Sequence, residues 1–397
     1  MPGERRNEKC EMRNPEFQGE VRPALSIPHF AFRIPNLKIL IAGGGTGGHL
    51  MPALALARVA ADLGHDVVLV GAARGIEAQI LPRHPFRFHL LPMEPFYRRA
   101  WWRNLRWPMI ALRAWRSAGR VLQDERPAIV IGTGGYAAGP VVWRAQRAGI
   151  PTALQEQNAF PGLTTRWLAR GARQVHLGFP EANLRLSPGP RTPVFVFGNP
   201  ITPLGRVDAV AARSEFGLAA ERRTVLVVGG SQGARALNET LARALGLELL
   251  RDVNLLWGTG AAHESRYAAL AVPGRVVVRG FFDPIAPAYA AADLVVARAG
   301  AMTVAELCAW GKPSVLVPLP TAAADHQTFN AHALANAGAS VLLLESELAA
   351  ESFAKTITSL VQNRVRLEEL ARSARKRGHP NAARTIMEKV LELSQVE

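Results

Sequence analysis

The 397-residue chain has only two cysteines, Cys10 and Cys308, far apart in sequence. Two distant thiols exclude a disulfide framework, and their scarcity fits a reducing compartment. No Cys/His cluster has the spacing of a zinc site, and no Asp-x-Asp stands near a loop to hold a divalent ion. No uninterrupted apolar run approaches the roughly 18–20 residues of a spanning helix. The first 36 residues lack the apolar core of a secretory signal. They carry six Lys+Arg against five Asp+Glu and read as a mobile tail or a misassigned start, on a protein made in the cytoplasm.

Acidic residues are scarce in one half only. Residues 37–199 hold 20 Lys+Arg and 8 Asp+Glu, a net charge of +12, whereas residues 200–397 hold 21 and 19, a net of +2. A one-sided basic field favours an anionic surface such as lipid headgroups or nucleic acid. Residues 96–120 concentrate it: Arg98, Arg99, Arg103, Arg106, Arg113, Arg116 and Arg120 alternate with Trp101, Trp102, Trp107 and Trp115. Arginine with tryptophan suits an interfacial segment on anionic lipid. A solvated arginine face over a buried tryptophan side is the plainer alternative. No nucleic-acid motif accompanies the stretch.

What the chain has in abundance is glycine at strand ends. Leu37–Ala42 reads as a buried strand and runs into Gly43-Gly44-Gly45-Thr46-Gly47-Gly48-His49. Thr224–Val228 repeats the pattern and runs into Gly229-Gly230-Ser231-Gln232-Gly233-Ala234. A strand, a glycine turn and a helix together bring backbone N–H groups and a helix N-terminus close to a ligand. Further strands are expected at 67–70, 129–131, 152–154, 253–257, 275–278, 294–297, 314–317 and 341–344. The first helix is expected over 50–63, with Pro52 in its first turn, and residues 350–393 read as helical. Strands alternating with helices predict doubly wound parallel sheets in two α/β domains, 37–199 and 200–397, joined near Gly198-Asn199-Pro200.

Several strand-end loops carry polar chemistry. His49 stands where the first loop meets its helix, and the positive helix end disfavours a protonated imidazole. A neutral imidazole suits a general base; the alternative is a capping or core histidine. Gly132-Thr133-Gly134-Gly135-Tyr136 and Gln155-Glu156-Gln157-Asn158 close two later strands of the same sheet, where strand-end loops converge on a ligand crevice; ordinary turn capping is the alternative for Glu156 and Asn158. In the second half, backbone N–H groups at Ala301, Met302 and Thr303 could hold a diphosphate. Glu306, a turn further on, could accept two ribose hydroxyls or merely complement the helix dipole. The stretch Asp325-His326-Gln327-Thr328-Phe329-Asn330 suits hydrogen bonding to a sugar ring.

Six motifs in this order, GGGTGGH, GTGGY, QEQN, GGSQGA, RAGAMTVAE and DHQTFNA, resemble the MurG family of GT-B glycosyltransferases over roughly residues 37–390. The resemblance implies two Rossmann-like domains facing a central cleft, with no cofactor and no catalytic metal. It implies inverting transfer of N-acetylglucosamine from UDP-GlcNAc to the C4 hydroxyl of the N-acetylmuramoyl unit of lipid I, giving lipid II for peptidoglycan. The partners it implies are the donor, the lipid acceptor and an anionic membrane surface, at the cytoplasmic face of the cell membrane.

Carried over position by position, the resemblance places Thr46, Gly47 and Gly48 at the cleft with His49 as base. Asn158 would contact donor sugar or phosphate and Ser231 the diphosphate. Phe282 would offer backbone groups to uracil. Ala301 to Thr303, continued by Val304 and Ala305, would approach the diphosphate, and Glu306 the ribose. His326, Gln327 and Asn330 would read the N-acetylglucosamine. Three positions depart from the family pattern: Thr202 where an arginine is common (Arg206 being the nearest substitute), Ala299 for serine, and Gln155 for histidine. The alternatives are a GT-B transferase with another acceptor, a noncatalytic nucleotide-sugar-binding module, and an NAD-dependent oxidoreductase. Gly71-Ala72-Ala73-Arg74 offers the last no acidic residue where a ribose would need one.

Overall fold

A computed structural model describes residues 36–94, 105–202, 205, 207–230 and 233–395. The expectations for the N-terminal tail, for Arg98, Arg99, Arg103, Trp101 and Trp102, and for Arg206 and Ser231 lie outside the described residues.

The first half runs β1 (Lys38–Ala42), α1 (Gly47–Asp62), β2 (Asp66–Ala72), α2 (Glu77–Ile80), β3 (Arg87–Leu91), α3 (Trp107–Glu125), β4 (Ile129–Gly132), α4 (Gly135–Arg147), β5 (Thr152–Glu156), α5 (Leu163–Leu168), β6 (Gln174–Leu177) and β7 (Val194–Val196). Its seven strands are ordered β3-β2-β1-β4-β5-β6-β7. The second half runs α6 (Ala209–Glu215), β8 (Thr224–Val228), α7 (Arg235–Gly246), β9 (Asn254–Gly258), α8 (Glu264–Tyr267), β10 (Val276–Arg279), α9 (Ala286–Ala291), β11 (Leu294–Ala297), α10 (Ala301–Trp310), β12 (Ser314–Leu316), α11 (His326–Asn336) and β13 (Val341–Leu342). Three helices close the chain: α12 (Ala350–Gln362), α13 (Arg364–Lys376) and α14 (Ala382–Leu391). The second sheet is ordered β10-β9-β8-β11-β12-β13. All pairings between these strands are parallel.

Each sheet is buried on both faces, which is why its central strands read as unbroken apolar runs. Along β8 the side chains alternate between two cores. Val225 and Val227 pack with Leu237, Leu241 and Phe353, whereas Leu226 packs with Leu256, Tyr289 and Val295. In both sheets the strand order reverses beside the first strand of its half, between β1 and β4 and between β8 and β11. Crevices outside the carboxyl ends of strands at such reversal points are where α/β sheets bind ligands. The glycine turns after β1 and β4 flank the first crevice, and the loops after β8 and β11 flank the second.

Three differences from the sequence reading bear on the site. Helix α1 starts at Gly47 rather than Leu50, so His49 lies within its first turn and Pro52 sits one turn deeper than expected. Lacking an N–H, Pro52 cannot donate to the Gly48 carbonyl. Strands β3 and β7 carry polar or aromatic residues at half-buried positions, and β6 carries the buried polar residues Gln174 and His176, which hid all three from an apolar-run criterion. Helix α14 crosses back to pack against α1, and its Lys389 carbonyl accepts from Gln174 Nε2 at 3.0 Å.

Candidate active site

The first crevice is built glycine on backbone. Gly135 has φ +77°, and a Cβ there would lie 1.8 Å from the Gly44 carbonyl oxygen. A Cβ on Gly43 would meet Thr133 Oγ1 at the same distance. Only glycine lets the two turns approach so closely. Thr46, exposed and extended, precedes α1, and its carbonyl accepts from the backbone N–H groups of His49 and Leu50. No side chain caps this helix and no acidic residue sits in its first turn. The N–H groups of Gly47 and Gly48 therefore face outward at its positive end.

His49 is half-buried between the two turns. Its Nδ1 lies 2.9 Å from Gln157 Oε1 and 3.1 Å from the Thr133 carbonyl oxygen. Its backbone carbonyl accepts from Thr133 Oγ1 at 2.8 Å. Both Nδ1 partners are acceptors, so Nδ1 carries a hydrogen, and in the neutral ring the lone pair is on Nε2. His326, from α11, is close enough for the two rings to act on each other electrostatically. Burial, chiefly, holds His326 below the ordinary imidazole range. Its Nδ1 is taken up by the Ala323 carbonyl.

The second crevice offers an open helix end. Helix α10 starts at Ala301 without a side-chain cap or an acidic residue in its first turn. Val304 N–H is the first to bond back, to Gly300 at 2.9 Å, leaving Ala301, Met302 and Thr303 to present theirs. Ala305 is half-buried and Val304 packs into the core; both line a small cavity with Phe179, Asn199 and His379. Glu306 follows, its carboxyl pushed up by burial and partly held down by Tyr289, whose hydroxyl donates to Oε2 at 2.9 Å. Phe282 buries its ring edge-on against Phe216. Gln327 Oε1 accepts from Leu319 N–H at 3.0 Å, fixing the Pro318-Leu319-Pro320 turn. Thr202 is exposed.

Two of the expected sugar readers meet each other. Asn330 is fully buried; its Nδ2 donates to Asn158 Oδ1 at 3.2 Å and to the Ala299 carbonyl at 3.1 Å. Its Oδ1 accepts from Ala159 N–H at 2.8 Å. Beside them Phe160 and Phe329 stack across the cleft with centroids 4.8 Å apart. Asn330 thus serves here as a strut between the halves.

A model of the glycosyltransferase family 28 N-terminal domain matches residues 39–177, and one of the C-terminal domain matches residues 224–386. A UDP-N-acetylglucosamine–N-acetylmuramyl-(pentapeptide) pyrophosphoryl-undecaprenol N-acetylglucosamine transferase from Chlorobaculum parvum is 41% identical over 366 residues, 90% of this chain and 100% of the relative. The chain belongs to the MurG family of glycosyltransferases. The family enzyme of Moorella thermoacetica is 39% identical over 367 residues, 89% of this chain and 98% of its own length. The crystal structure of Acinetobacter baumannii MurG matches with a TM-score of 0.73 at 31% identity, covering 90% of this chain and 100% of that one. A calicheamicin glycosyltransferase, at 16% identity and a TM-score of 0.64 over 90% of this chain and 99% of its own, shares the fold.

In this MurG-family chain the site also contains side chains that sequence reasoning did not assign. Glu77 is fully buried beneath the first glycine turn and accepts from Gly45 N–H. Burial pushes its carboxyl up against the opposing pull of backbone N–H groups. Glu156 accepts from Asn158 and Gly162 N–H at 3.1 and 3.0 Å and so shapes the loop that carries Asn158. Tyr289 was hidden because it lies in an alanine-rich helix seventeen positions before Glu306. A buried carboxylate within an otherwise apolar stretch is the one signal that could have flagged Glu77.

Proposed function

We propose that this chain transfers N-acetylglucosamine from UDP-GlcNAc to the C4 hydroxyl of the N-acetylmuramoyl unit of a lipid-diphosphate-linked acceptor, lipid I, to give lipid II. The activity for which its relatives are named supports this reading, and one observation in the site carries it. His49 commits Nδ1 to two acceptors, Gln157 Oε1 and the Thr133 carbonyl, so that in the neutral ring Nε2 is the nitrogen left to take a proton. Nε2 takes the proton of the C4 hydroxyl as its oxygen attacks the anomeric carbon. The bond from that carbon to the diphosphate breaks with inversion, and UDP leaves with the electron pair. The N–H groups at the start of α10 meet the charge that develops on the leaving diphosphate. Glu306 accepts the ribose hydroxyls, and His326 and Gln327 flank the sugar. Asn330 joins them only if the cleft rearranges.

The acceptor is held in a bilayer, so the enzyme must dock there, at the cytoplasmic face where the nucleotide sugar is found. Among the described residues no helix is long and apolar enough to cross a membrane. A peripheral surface is available on the first half. Met109 and Leu112 of α3 are exposed, and Trp115, Trp143 and Trp167 form a row with centroids 4.2 and 5.2 Å apart. Arg106, Arg113, Arg116 and Arg120 are exposed around it, and none pairs with a carboxylate among the described residues. Apolar insertion beside unpaired arginines suits an anionic interface.

The deciding experiment is a transfer assay with lipid I, offering UDP-GlcNAc and UDP-glucose in parallel. Product from UDP-GlcNAc alone supports the reading. No product on lipid I, with turnover on another acceptor, would replace it by the broader GT-B reading.

A further inference from the structure

His49 is held by a side chain to which neither the motif reading nor the proposed mechanism gives a role of its own. Gln157 is buried to 1% exposure and lies 108 residues from His49 in sequence. Which end of its amide faces the imidazole follows from the other contacts. Its Nε2 is 2.8 Å from the Thr133 carbonyl oxygen and 3.0 Å from the Gln155 carbonyl oxygen. Both are pure acceptors, so the NH2 group must point at them and Oε1 must point at His49. An imidazole nitrogen facing Oε1 has to donate.

The amide is itself pinned from behind. Gln157 Nε2 also meets Gln155 Oε1, and Gln155 Nε2 donates to Asn199 Oδ1 at 3.0 Å. Asn199 Nδ2 donates to the Gln157 carbonyl at 2.9 Å and reaches the Ala301 carbonyl at 3.4 Å. Gln155 and Asn199 are buried as completely as Gln157. A chain of neutral amides therefore runs from the imidazole to the first residue of α10. The departure of Gln155 from histidine belongs to this chain: a glutamine supplies one donor and one acceptor at once and carries no charge at any pH.

We propose that Gln157 is a positioning residue for the transfer reaction: its carbonyl oxygen fixes His49 in the Nδ1–H tautomer and aims Nε2 into the cleft. The inference rests on the reading of His49 as the base. A carboxylate in this place would orient the ring equally well, but its charge would favour the imidazolium, which cannot accept a proton. The neutral amide orients the ring and leaves its protonation to the rest of the site. The titratable groups that face His49 are Glu77, beneath the glycine turn, and His326, across the cleft.

The test uses the full chain with Gln157→Leu and Gln157→Glu, with thermal unfolding and UDP binding to the other half as checks that each variant folds. Gln157→Leu should lower kcat by about 10–100-fold, the scale for removing the partner that orients an imidazole, with KM for UDP-GlcNAc little changed. Gln157→Leu leaves Nδ1 only the longer contact to the Thr133 carbonyl at 3.1 Å, so nitrogen-15 spectra of labelled histidine, with His49→Gln to assign the resonance, should move from one tautomer towards a mixture. Gln157→Glu should keep the single tautomer and move the acidic limb of the kcat profile up by about one pH unit or more. Its activity should recover at alkaline pH. If both variants lose kcat alike, with the acidic limb and the tautomer unmoved, Gln157 is only part of the packing and the proposal fails. Should Gln157→Leu not fold, Gln157→Asn, which withdraws the oxygen by one methylene, gives the same readouts. The tautomer measurement is independent of the base assignment. A mixed tautomer in Gln157→Leu together with near-normal turnover of His49→Ala would overturn the base reading and leave the hold on the ring intact.

Discussion

Glu306→Gln is the substitution whose effect can be worked furthest from the structure. The carboxyl sits one turn inside α10, its Oε2 receiving the Tyr289 hydroxyl at 2.9 Å. Burial raises it above the ordinary carboxylate range, and the Tyr289 hydrogen bond opposes that rise. Two ribose hydroxyls donating to the ionised form would be hydrogen bonds to a charged group, worth about 1.5–3 kcal/mol. At about 1.4 kcal/mol per tenfold, UDP affinity should fall roughly 10- to 150-fold. The pH dependence has a definite sign. Hydroxyls donate more strongly to the carboxylate than to the protonated carboxyl, which keeps one fewer acceptor and no charge, so binding is strongest above the raised value and weakens as pH falls through it. That loss should begin at a higher pH than an ordinary glutamate would allow, and at a higher pH still in Tyr289→Phe. Calorimetric titration with UDP and with its 2′,3′-dideoxy analogue measures both effects. If Glu306→Gln weakens the two ligands equally, Glu306 serves its helix and not the ribose.

Two further outcomes follow from the same geometry. His49→Ala should reduce turnover by about 10²–10⁴-fold, with UDP affinity unchanged, as measured by transfer kinetics beside calorimetry. Changing Arg113 and Arg116 to Gln, with Trp143 and Trp167 to Ala, should reduce sedimentation with anionic vesicles and activity on vesicle-held acceptor. Activity on a short soluble acceptor should remain, and in the parent added salt should weaken vesicle binding without abolishing it, because apolar insertion is not screened.

How much of this was legible beforehand depended on whether a residue acts locally. Strands β1, β8 and β11 announce themselves as apolar runs, and the glycine turns after them are local chemistry. Strand–helix alternation implies the parallel sheets but not where their strand order reverses, which only the assembled sheets show. His49 and Glu306 could be singled out because each sits at a fixed offset from a glycine turn or a helix start. Nothing local marks what those residues touch. Gln157 meets His49 across 108 positions, and Ala159 meets Asn330 across 171. Such pairs exist only once strands from distant segments are laid side by side. Tyr289 and Glu77 escaped for the same reason. The start of α1 escapes the sequence because Gly47 and Gly48 are poor helix formers; the Thr46 carbonyl, which accepts from the His49 and Leu50 N–H groups, opens the helix before them.

Asn330 shows how one residue can carry both an expected and an observed role. The sequence pattern puts it beside the sugar; the structure spends it on Asn158, Ala159 and Ala299. Neutral hydrogen bonds contribute about 0.5–1.5 kcal/mol each, so those that cross the cleft are together comparable to what one sugar hydroxyl pair offers in return. Amides suit such an exchange because they replace one neutral partner by another without burying a charge. The Ala159 amide reports the exchange directly, since its N–H donates to Asn330 Oδ1 at 2.8 Å. If the donor sugar recruits Asn330, saturating the protein with UDP-GlcNAc should speed hydrogen exchange at Ala159, whereas UDP, which lacks the sugar, should not. Equal protection of Ala159 with either ligand would mean that Asn330 stays a strut throughout, leaving His326 and Gln327 to recognise the sugar.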